Sequence, residues 1–341
     1  MISVIIVTHN SEGCIGQCLA SLENSGAEVV VVDNASTDGT AALVRQFPAS
    51  VKLIQAPRNL GFAAASNLGA RNSTGSSLLF LNPDCVCLGD LQCLEEPLQN
   101  SEKTVAVAGR LVDTQGQAQI GFNVRRLPTP ASLIFELLLL NRLFPNNPVN
   151  RKYRCLDLDP ERPVEVEQPA GACLLVRRKS FASCGFFDEA FFPLWFEDVD
   201  LCKKLRRQGG EILFWPKVVF QHAGGHSVNS LTFLERQIYW NHNLLYYVGK
   251  HFPWTMALAI RAALMWGMGL RFFATLVGIA PTSQALVATR REKLFAYFRA
   301  ALLSFSVWRQ GGARCHSGVA SAEHNGRESV SRLGSDKKRW A

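Results

Sequence analysis

Leu78-Leu79-Phe80-Leu81-Asn82-Pro83-Asp84 carries four apolar residues straight into a polar tip. An unbroken apolar run of this length, opened by Gly75-Ser76-Ser77, reads as a parallel strand buried on both faces. Pro83 has no N–H to give a ladder, so the strand ends there. Asp84 then sits just past the carboxyl end of a central strand, the edge where open α/β sheets bind ligands. A carboxylate at that edge can hold a hard divalent cation that reaches a phosphate oxygen on its other side. Turn chemistry alone would also favour an Asp after Pro. The rest of the chain decides between the two.

Outward from this stretch, strands and helices alternate. Ile2–Val7 is a β-branched run ending at Thr8-His9-Asn10, and Ser11 is placed to cap a following helix. Ile15, Cys18, Leu19 and Leu22 fall on one helical face. Val29–Val32 is a second strand ending at Asp33, Val51–Ile54 a third, and residues 61–70 form a helix of small residues. This order predicts an α/β doubly wound, mainly parallel sheet with Thr8, Asn10, Asp33 and Asp84 along one polar crevice. The first strand is followed by Thr-His-Asn-Ser-Glu-Gly, so neither a G-x-G-x-x-G dinucleotide turn nor a Walker A loop is present there.

Residues 104–127 read as one or two strands, and Leu133–Phe144 is apolar but too short to span a bilayer. Pro145–Pro163 reads as a long irregular loop. A strand follows from Pro169-Ala170-Gly171-Ala172 to Val176. Then Trp195-Phe196 precede Glu197-Asp198-Val199-Asp200, which open a helix. Acidic residues suit a helix N-terminus for dipole reasons alone. Beside Phe191, Phe192, Trp195 and Phe196, however, a carboxylate is desolvated, which raises its pKa and suits proton transfer. Two short strands, Ile212–Trp215 and Val218–Phe220, deliver Gln221-His222-Ala223-Gly224-Gly225-His226. A histidine at a strand end is commonly structural, but the glycines after it permit close approach to a ligand.

Charge is unevenly placed. Residues 236–341 hold fifteen Lys/Arg against four Asp/Glu, a net of +11, which leaves −3 of the +8 total for residues 1–235. The same third contains the longest apolar stretch, Trp254–Ala280, so a membrane surface fits better than nucleic acid. Arg261 and Arg271 interrupt that stretch, at about 2.5–3.5 kcal/mol each for mid-span insertion. An interfacial helix, one membrane-spanning helix and a soluble core helix all remain open readings. The ten cysteines lack a zinc spacing and fit free thiols in a reducing compartment. Ile2–Thr8 runs directly into a strand without a basic n-region, so no cleaved signal peptide is expected.

T-H-N at 8–10, V-V-D-N-A-S-T-D-G-T, R-N-L-G-F-A-A-A-S-N-L-G, F-L-N-P-D, A-G-A-C-L-L-V-R-R and G-F-F-D-E-A-F-F-P-L-W-F-E-D-V-D-L-C-K-K-L-R-R-Q-G occur in that order. Together they closely resemble family 2 glycosyltransferases of the GT-A fold, in the bacterial rhamnosyltransferase and galactofuranosyltransferase branch, over roughly residues 1–250. The resemblance implies that Asp33 contacts the nucleotide of a nucleotide diphosphate sugar donor, with Thr8 and Arg58 at further nucleotide-contacting positions. It implies that Asn82-Pro83-Asp84 is the metal-binding D-x-D position, with Asn in place of the first Asp. Asp84 is then the carboxylate for Mn²⁺ or Mg²⁺, His222 completes that site, and His226 is the weaker alternative. Asp198 matches the catalytic base. Pro193-Leu194-Trp195 departs from the family pattern near the acceptor pocket.

The resemblance further implies an inverting transfer, with rhamnose from dTDP-rhamnose as the first donor. The acceptor would be lipid-linked or a glycan, at the cytoplasmic face of the cell membrane. A sugar nucleotidyltransferase would want a Gly-rich, basic loop after the first strand, which is missing. A non-catalytic sugar-nucleotide binder need not keep Asp33, Asp84 and Asp198 together. The expected organisation is a catalytic domain over 1–235, with a nucleotide half to about 110 and an acceptor half beyond it. A membrane-associating region over 236–305 and a disordered tail over 306–341 follow.

Overall fold

The computed structural model describes residues 1–48, 50–225, 228, 230–279 and 288–305. The tail expected over 306–341 and His226 lie outside the described residues. The strands are β1 (Ile2–Thr8), β2 (Glu28–Asp33), β3 (Val51–Gln55), β4 (Ser77–Leu81), β5 (Cys85–Cys87) and β6 (Thr104–Val112). They continue as β7 (Val124–Arg125), β8 (Val164–Val166), β9 (Gln168–Pro169), β10 (Cys173–Arg177) and β11 (Glu211–His222). The main sheet runs β3-β2-β1-β4-β10-β6-β11-β5, with β8 also on β11, and β7 pairs separately with β9. β1, β2, β3 and β4 are mutually parallel, as are β6 and β11. β10 enters antiparallel between β4 and β6.

The order β3-β2-β1-β4 reverses direction at β1, so the carboxyl ends of β1 and β4 flank a topological switch point. Side-chain alternation explains why the run Ile2–Val7 is apolar throughout. Ile2, Val4 and Ile6 enter the core on one face of the sheet with α1 (Ile15–Ala20), and Ile5 enters the core on the other with α3 (Phe62–Arg71). α3 sits close because it is built of small residues. A Cβ at Gly69 would come within 2.5 Å of Ile5. α2 (Thr40–Val44) and α4 (Glu96–Asn100) cover the first face, while α8 (Arg178–Ser183) and α9 (Glu197–Arg207) cover the second.

Four local expectations change. Ser11 does not cap α1: its hydroxyl accepts from the His9 N–H, and its carbonyl takes the N–H groups of Cys14 and Ile15. The apolar stretch from Leu133 breaks at Leu139, whose φ of +64° ends α5 (Pro130–Leu137) and starts α6 (Leu140–Leu143). The segment read as irregular contains α7 (Pro148–Tyr153), with Asn147 accepting from the Asn150 N–H as cap and Pro148 in the first turn. The two short strands after Gly210 are one strand, β11, with a break in register between Trp215 and Val219.

Three long helices follow: α10 (Phe233–His251), α11 (Trp254–Leu276) and α12 (Arg290–Leu303). α10 and α12 begin with reciprocal capping boxes, Thr232 with Glu235 and Thr289 with Glu292. Together with α5 they build a third core around Leu244, Tyr247, Val248, Leu264 and Met268, and Phe191, Phe196 and Val199 belong to it. The helical end of the chain therefore shares a core with the loop that precedes α9. The nine described cysteines are free thiols.

Candidate active site

Strand register brings the site together. β10 runs antiparallel to β4 with Cys173 opposite Leu81, so the residues entering β10 lie beside the residues leaving β4. The Asn82 N–H donates to the Ala172 carbonyl at 3.0 Å. One residue earlier, the Gly171 N–H donates to Asp198 Oδ2 at 3.0 Å. Two adjacent peptides thus join the Asn82-Pro83-Asp84 tip to Asp198. β5 pairs with β11 so that His222 stands opposite Cys85, next to Asp84. Thr8 and Asp33 end the paired strands β1 and β2, and the Thr8 hydroxyl donates to Asp33 Oδ1 at 3.2 Å. Arg58 lies just past β3, is exposed, and makes no ion pair among the described residues.

Asp84 and His222 are both buried. Asp84 Oδ2 accepts from the Gly224 N–H at 3.1 Å, while Oδ1 faces His222 Nε2 at 3.6 Å. That separation is too long for a hydrogen bond. It is close to that of two ligands on one cation with bonds of about 2.1 Å. Gln119 fixes the imidazole. Its side-chain amide donates to the His222 carbonyl at 2.9 Å, so its oxygen, 2.9 Å from Nδ1, accepts the ring proton. Nε2 is then the unprotonated nitrogen, aimed at Asp84. Burial holds the His222 pKa below its ordinary value against the pull of Asp84, which keeps the ring neutral and able to ligate. Phe122 stacks on the ring at 5.2 Å. Cys85 completes a spatial trio with these two, but burial first and the nearby Asp84 second push its thiol well up. Its Sγ–H donates to the Ala172 carbonyl, so it stays a thiol and the donor set is one carboxylate and one imidazole.

Asp198 opens α9 and is half-buried. Besides Gly171, its Oδ2 has the Gln168 amide at 3.4 Å, and Oδ1 accepts from the Val199 N–H at 2.8 Å. Burial raises its pKa from the usual aspartate value, although these N–H groups and the Arg125 charge pull the other way. Glu197 differs. It is buried, one oxygen has no hydrogen-bond partner, and burial with the adjacent Asp198 charge raises its pKa well above a normal glutamate. The two carboxyls are therefore pushed unequally: Glu197 has no backbone N–H on its free oxygen to favour the anion, whereas Asp198 accepts from Gly171 and Val199.

Asp200 does a third thing. It is fully buried and meets His251 Nε2 at 2.7 Å, Lys250 Nζ at 2.8 Å and Lys204 Nζ at 3.2 Å. His251 Nδ1 is buried without a partner, which suits a neutral ring donating its Nε2–H. Burial alone would raise the Asp200 pKa, yet the His251 hydrogen bond and the two lysines lower it to about 2. Lys250 also bonds Asp188 at 2.6 Å, which accepts from the Tyr246 hydroxyl. The helix that carries Asp198 is therefore bolted to the end of α10. Asp200→Ala is expected to cost about 3 kcal/mol, because Lys204 and the buried His251 ring lose their partner and Lys250 keeps only Asp188. A depressed carboxylate pKa stabilises above the unfolded value near 4 and is lost as pH falls toward 2. Urea melts should show wild type losing that increment across this window and Asp200→Ala lacking the loss.

The aromatic loop before α9 is held from both sides. Trp195 and Phe196 take left-handed backbone, with φ of +81° and +74°, a strained arrangement for such side chains. Asn243 on α10 donates to the carbonyls of Phe192 and Leu194. The Phe62 N–H donates to the Pro193 carbonyl, and a Cβ at Gly61 would come within 2.8 Å of Phe192. Asn67, buried on α3, exchanges hydrogen bonds with the Phe187 backbone. The R-N-L-G-F and S-N-L-G residues thus anchor the loop that presents Asp198.

Sequence reading missed Gln119, Phe122, Arg125, Gln168 and Asn243, which carry no motif of their own. Gly171 was visible only as a small residue at a strand start. A Cβ there would stand 3.2 Å from that of Asp198, so the carboxylate must give way by a few tenths of an ångström. Gly171→Ala is expected to lower kcat about tenfold through that displacement, with donor Kd unchanged in calorimetry.

This mixed, mostly parallel sheet, with carboxylates gathered at the strand ends around a switch point, is a GT-A fold. The model of the family described as Glycosyl transferase family 2 matches residues 3–183, and the chain belongs to that family. An N-acetylglucosaminyl-diphospho-decaprenol L-rhamnosyltransferase of Mycobacterium tuberculosis is 29% identical over 299 residues, covering 80% of this chain and 94% of its own. The glycosyltransferase AglE of Haloferax volcanii is 37% identical over 92 residues, 25% of this chain and 30% of that one. Among solved structures, the mannosyltransferase PcManGT of Pyrobaculum calidifontis, in complex with GDP-Man and Mn²⁺, has a TM-score of 0.50 at 18% identity. It covers 89% of this chain and 86% of its own, a likeness of fold.

Proposed function

We propose that the protein is an inverting glycosyltransferase that moves a sugar from a nucleotide diphosphate donor to a lipid-linked or glycan acceptor, at the cytoplasmic face of the cell membrane. The observation that supports this is the junction at Gly171-Ala172, which ties Asp198 through adjacent peptides to the Asn82-Pro83-Asp84 tip, where Asp84 faces His222. Thr8, Asp33 and Arg58 line the β1–β3 ends, where the nucleotide would lie, and Asn82 with Asp84 would face its diphosphate. Asp84 and His222 would hold a Mn²⁺ or Mg²⁺ ion, whose chemistry there is Lewis-acid neutralisation of the diphosphate charge.

Asp198 takes the acceptor hydroxyl's proton as that oxygen attacks the anomeric carbon. The new C–O bond forms on the face opposite the breaking one, and the leaving electron pair goes to the diphosphate. One carboxylate suffices, and no covalent sugar–enzyme intermediate is needed, unlike a retaining glycosidase. The mycobacterial relative's name, that of an L-rhamnosyltransferase acting on a diphospho-decaprenol-linked sugar, supports dTDP-rhamnose as the first donor to test and a polyprenyl-linked acceptor. Incubation with a panel of sugar nucleotides, reading nucleoside diphosphate release with and without Mn²⁺, tests the reading. Release from dTDP-rhamnose alone is expected. Release from a UDP-sugar alone would move the donor, and release of pyrophosphate from a nucleoside triphosphate with a sugar phosphate would make it a nucleotidyltransferase.

A further inference from the structure

α11 is 23 residues long, about 34 Å at the rise of an α-helix, and is long and apolar enough to cross a bilayer. Its surroundings decide otherwise. A spanning helix joined to a soluble body would keep lipid around its middle. Here the middle of one flank is packed into protein. Ile260, Leu264 and Met268 are buried in the core that holds Leu133 and Leu137 of α5 and Ala300 of α12. Contact with α5 is tight enough that a Cβ on Gly267 would stand 2.1 Å from the Leu137 carbonyl oxygen.

Both arginines that interrupt the apolar stretch turn to this protein side. Arg271 donates to the carbonyls of Leu137 and Gly267 at 2.6 and 2.9 Å, and Arg261 to that of Ser304 at 3.0 Å. α5 and α6 also carry Glu136 and Arg142, and Glu136 pairs with Arg154 at 3.7 Å. Crossing the bilayer would drag this charged packing partner into hydrocarbon, where ionisable groups are costly.

The other flank is apolar and bare. Trp254, Leu258, Trp266, Leu270 and Phe273 recur at helical spacing, with Trp254 77% and Trp266 66% exposed. α12, packed against α11 in the same core, repeats the pattern with exposed Phe295, Phe298 and Leu302, and Phe305 just past its end is exposed too. Monomeric soluble proteins rarely leave contiguous apolar surface of this kind open. Arg290, Arg291 and Arg299 are exposed on α12, against one acid, Glu292. Apolar stripes edged by arginine, with tryptophans on the open side, match an anionic lipid interface.

We propose that the exposed flanks of α11 and α12 form one membrane-contact surface by which the enzyme lies on an anionic bilayer without crossing it. This rests on the glycosyltransferase reading only for its purpose, delivery to a membrane-held acceptor, and the test below uses neither donor nor acceptor.

The experiment is flotation of the full chain with phosphatidylcholine vesicles, with and without phosphatidylglycerol, at low and high salt. Wild type should float with the anionic vesicles, less so at high salt, and leave them on alkaline carbonate extraction. The double variant Trp266→Glu/Phe298→Glu should partition about tenfold less or worse, because two large apolar side chains are withdrawn from lipid. Its thermal melt should match wild type, since both residues face outward. Carbonate-resistant wild type would mean a spanning helix and overturn the proposal. Undiminished partition of the double variant would overturn it too, as would a wild-type dimer in light scattering that fails to float and that Trp266→Glu converts to monomer.

Discussion

Asp198→Asn is expected to lower kcat by about 10²–10⁴ while donor Kd stays within about threefold of wild type. Asparagine keeps the shape and can still accept from the Gly171 N–H, but it cannot take a proton. In the proposed reaction the base acts on the acceptor, so donor binding should be spared. A pH signature should accompany the loss. Burial raises the Asp198 pKa, and a general base works as its anion. Wild-type kcat/KM should therefore climb with pH through a value above the usual aspartate range and then level, and Asp198→Asn should lack that limb. Glu197→Gln makes the control. Burial and the adjacent Asp198 charge hold its pKa well above the ordinary glutamate value, so it is the weaker candidate base and the substitution should leave the limb in place. A dead Glu197→Gln beside a working Asp198→Asn would transfer the base to Glu197.

Asp84→Ala is expected to abolish cation-dependent donor binding and with it nearly all turnover. His222 alone leaves one neutral ligand where the site now offers a carboxylate and an imidazole 3.6 Å apart. Calorimetry with Mn²⁺ and donor reads this directly. Wild type should bind donor tightly only with the ion, and Asp84→Ala should show the same weak binding with or without it. Full wild-type turnover in excess EDTA would remove the cation from the mechanism altogether.

Local sequence carried the strands that end in polar tips. Val-Val-Val-Val-Asp at 29–33 and the apolar run into Asn82-Pro83-Asp84 announce their burial, their ends and their carboxylates within a few residues. The expected carboxyl-end crevice follows, since Thr8 with Asn10, Asp33 and Asp84 each come at or just past the end of a parallel strand, β1, β2 and β4. Asp198 was legible for a related reason: its aromatic approach and its helix start are adjacent in the chain. What stayed hidden depends on pairing over long separations. Gln119 orients His222 from 103 residues away, and Lys250 and His251 reach Asp200 across about fifty. Nothing in the spacing of Asp200 distinguishes a helix-dipole acid from the hub of a buried ion cluster.

The antiparallel entry of β10 between β4 and β6 is of the same kind. Its apolar run looks like any buried strand, and only its register shows that Gly171 and Ala172 bridge the two halves of the site. Leu139 and Pro148 misled in the opposite direction. One apolar stretch breaks at a left-handed leucine, and a Pro- and Asn-rich segment hides a capped helix, because both outcomes turn on a single backbone angle or cap.

Single displacement with Asp198 as the only base is the core of the proposed chemistry. The anomeric configuration of the transferred sugar, followed by NMR as the product first forms, tests it most directly. A product opposite in configuration to the donor is expected. A product that keeps the donor's configuration from the first turnover would demand a second step on the enzyme and contradict it.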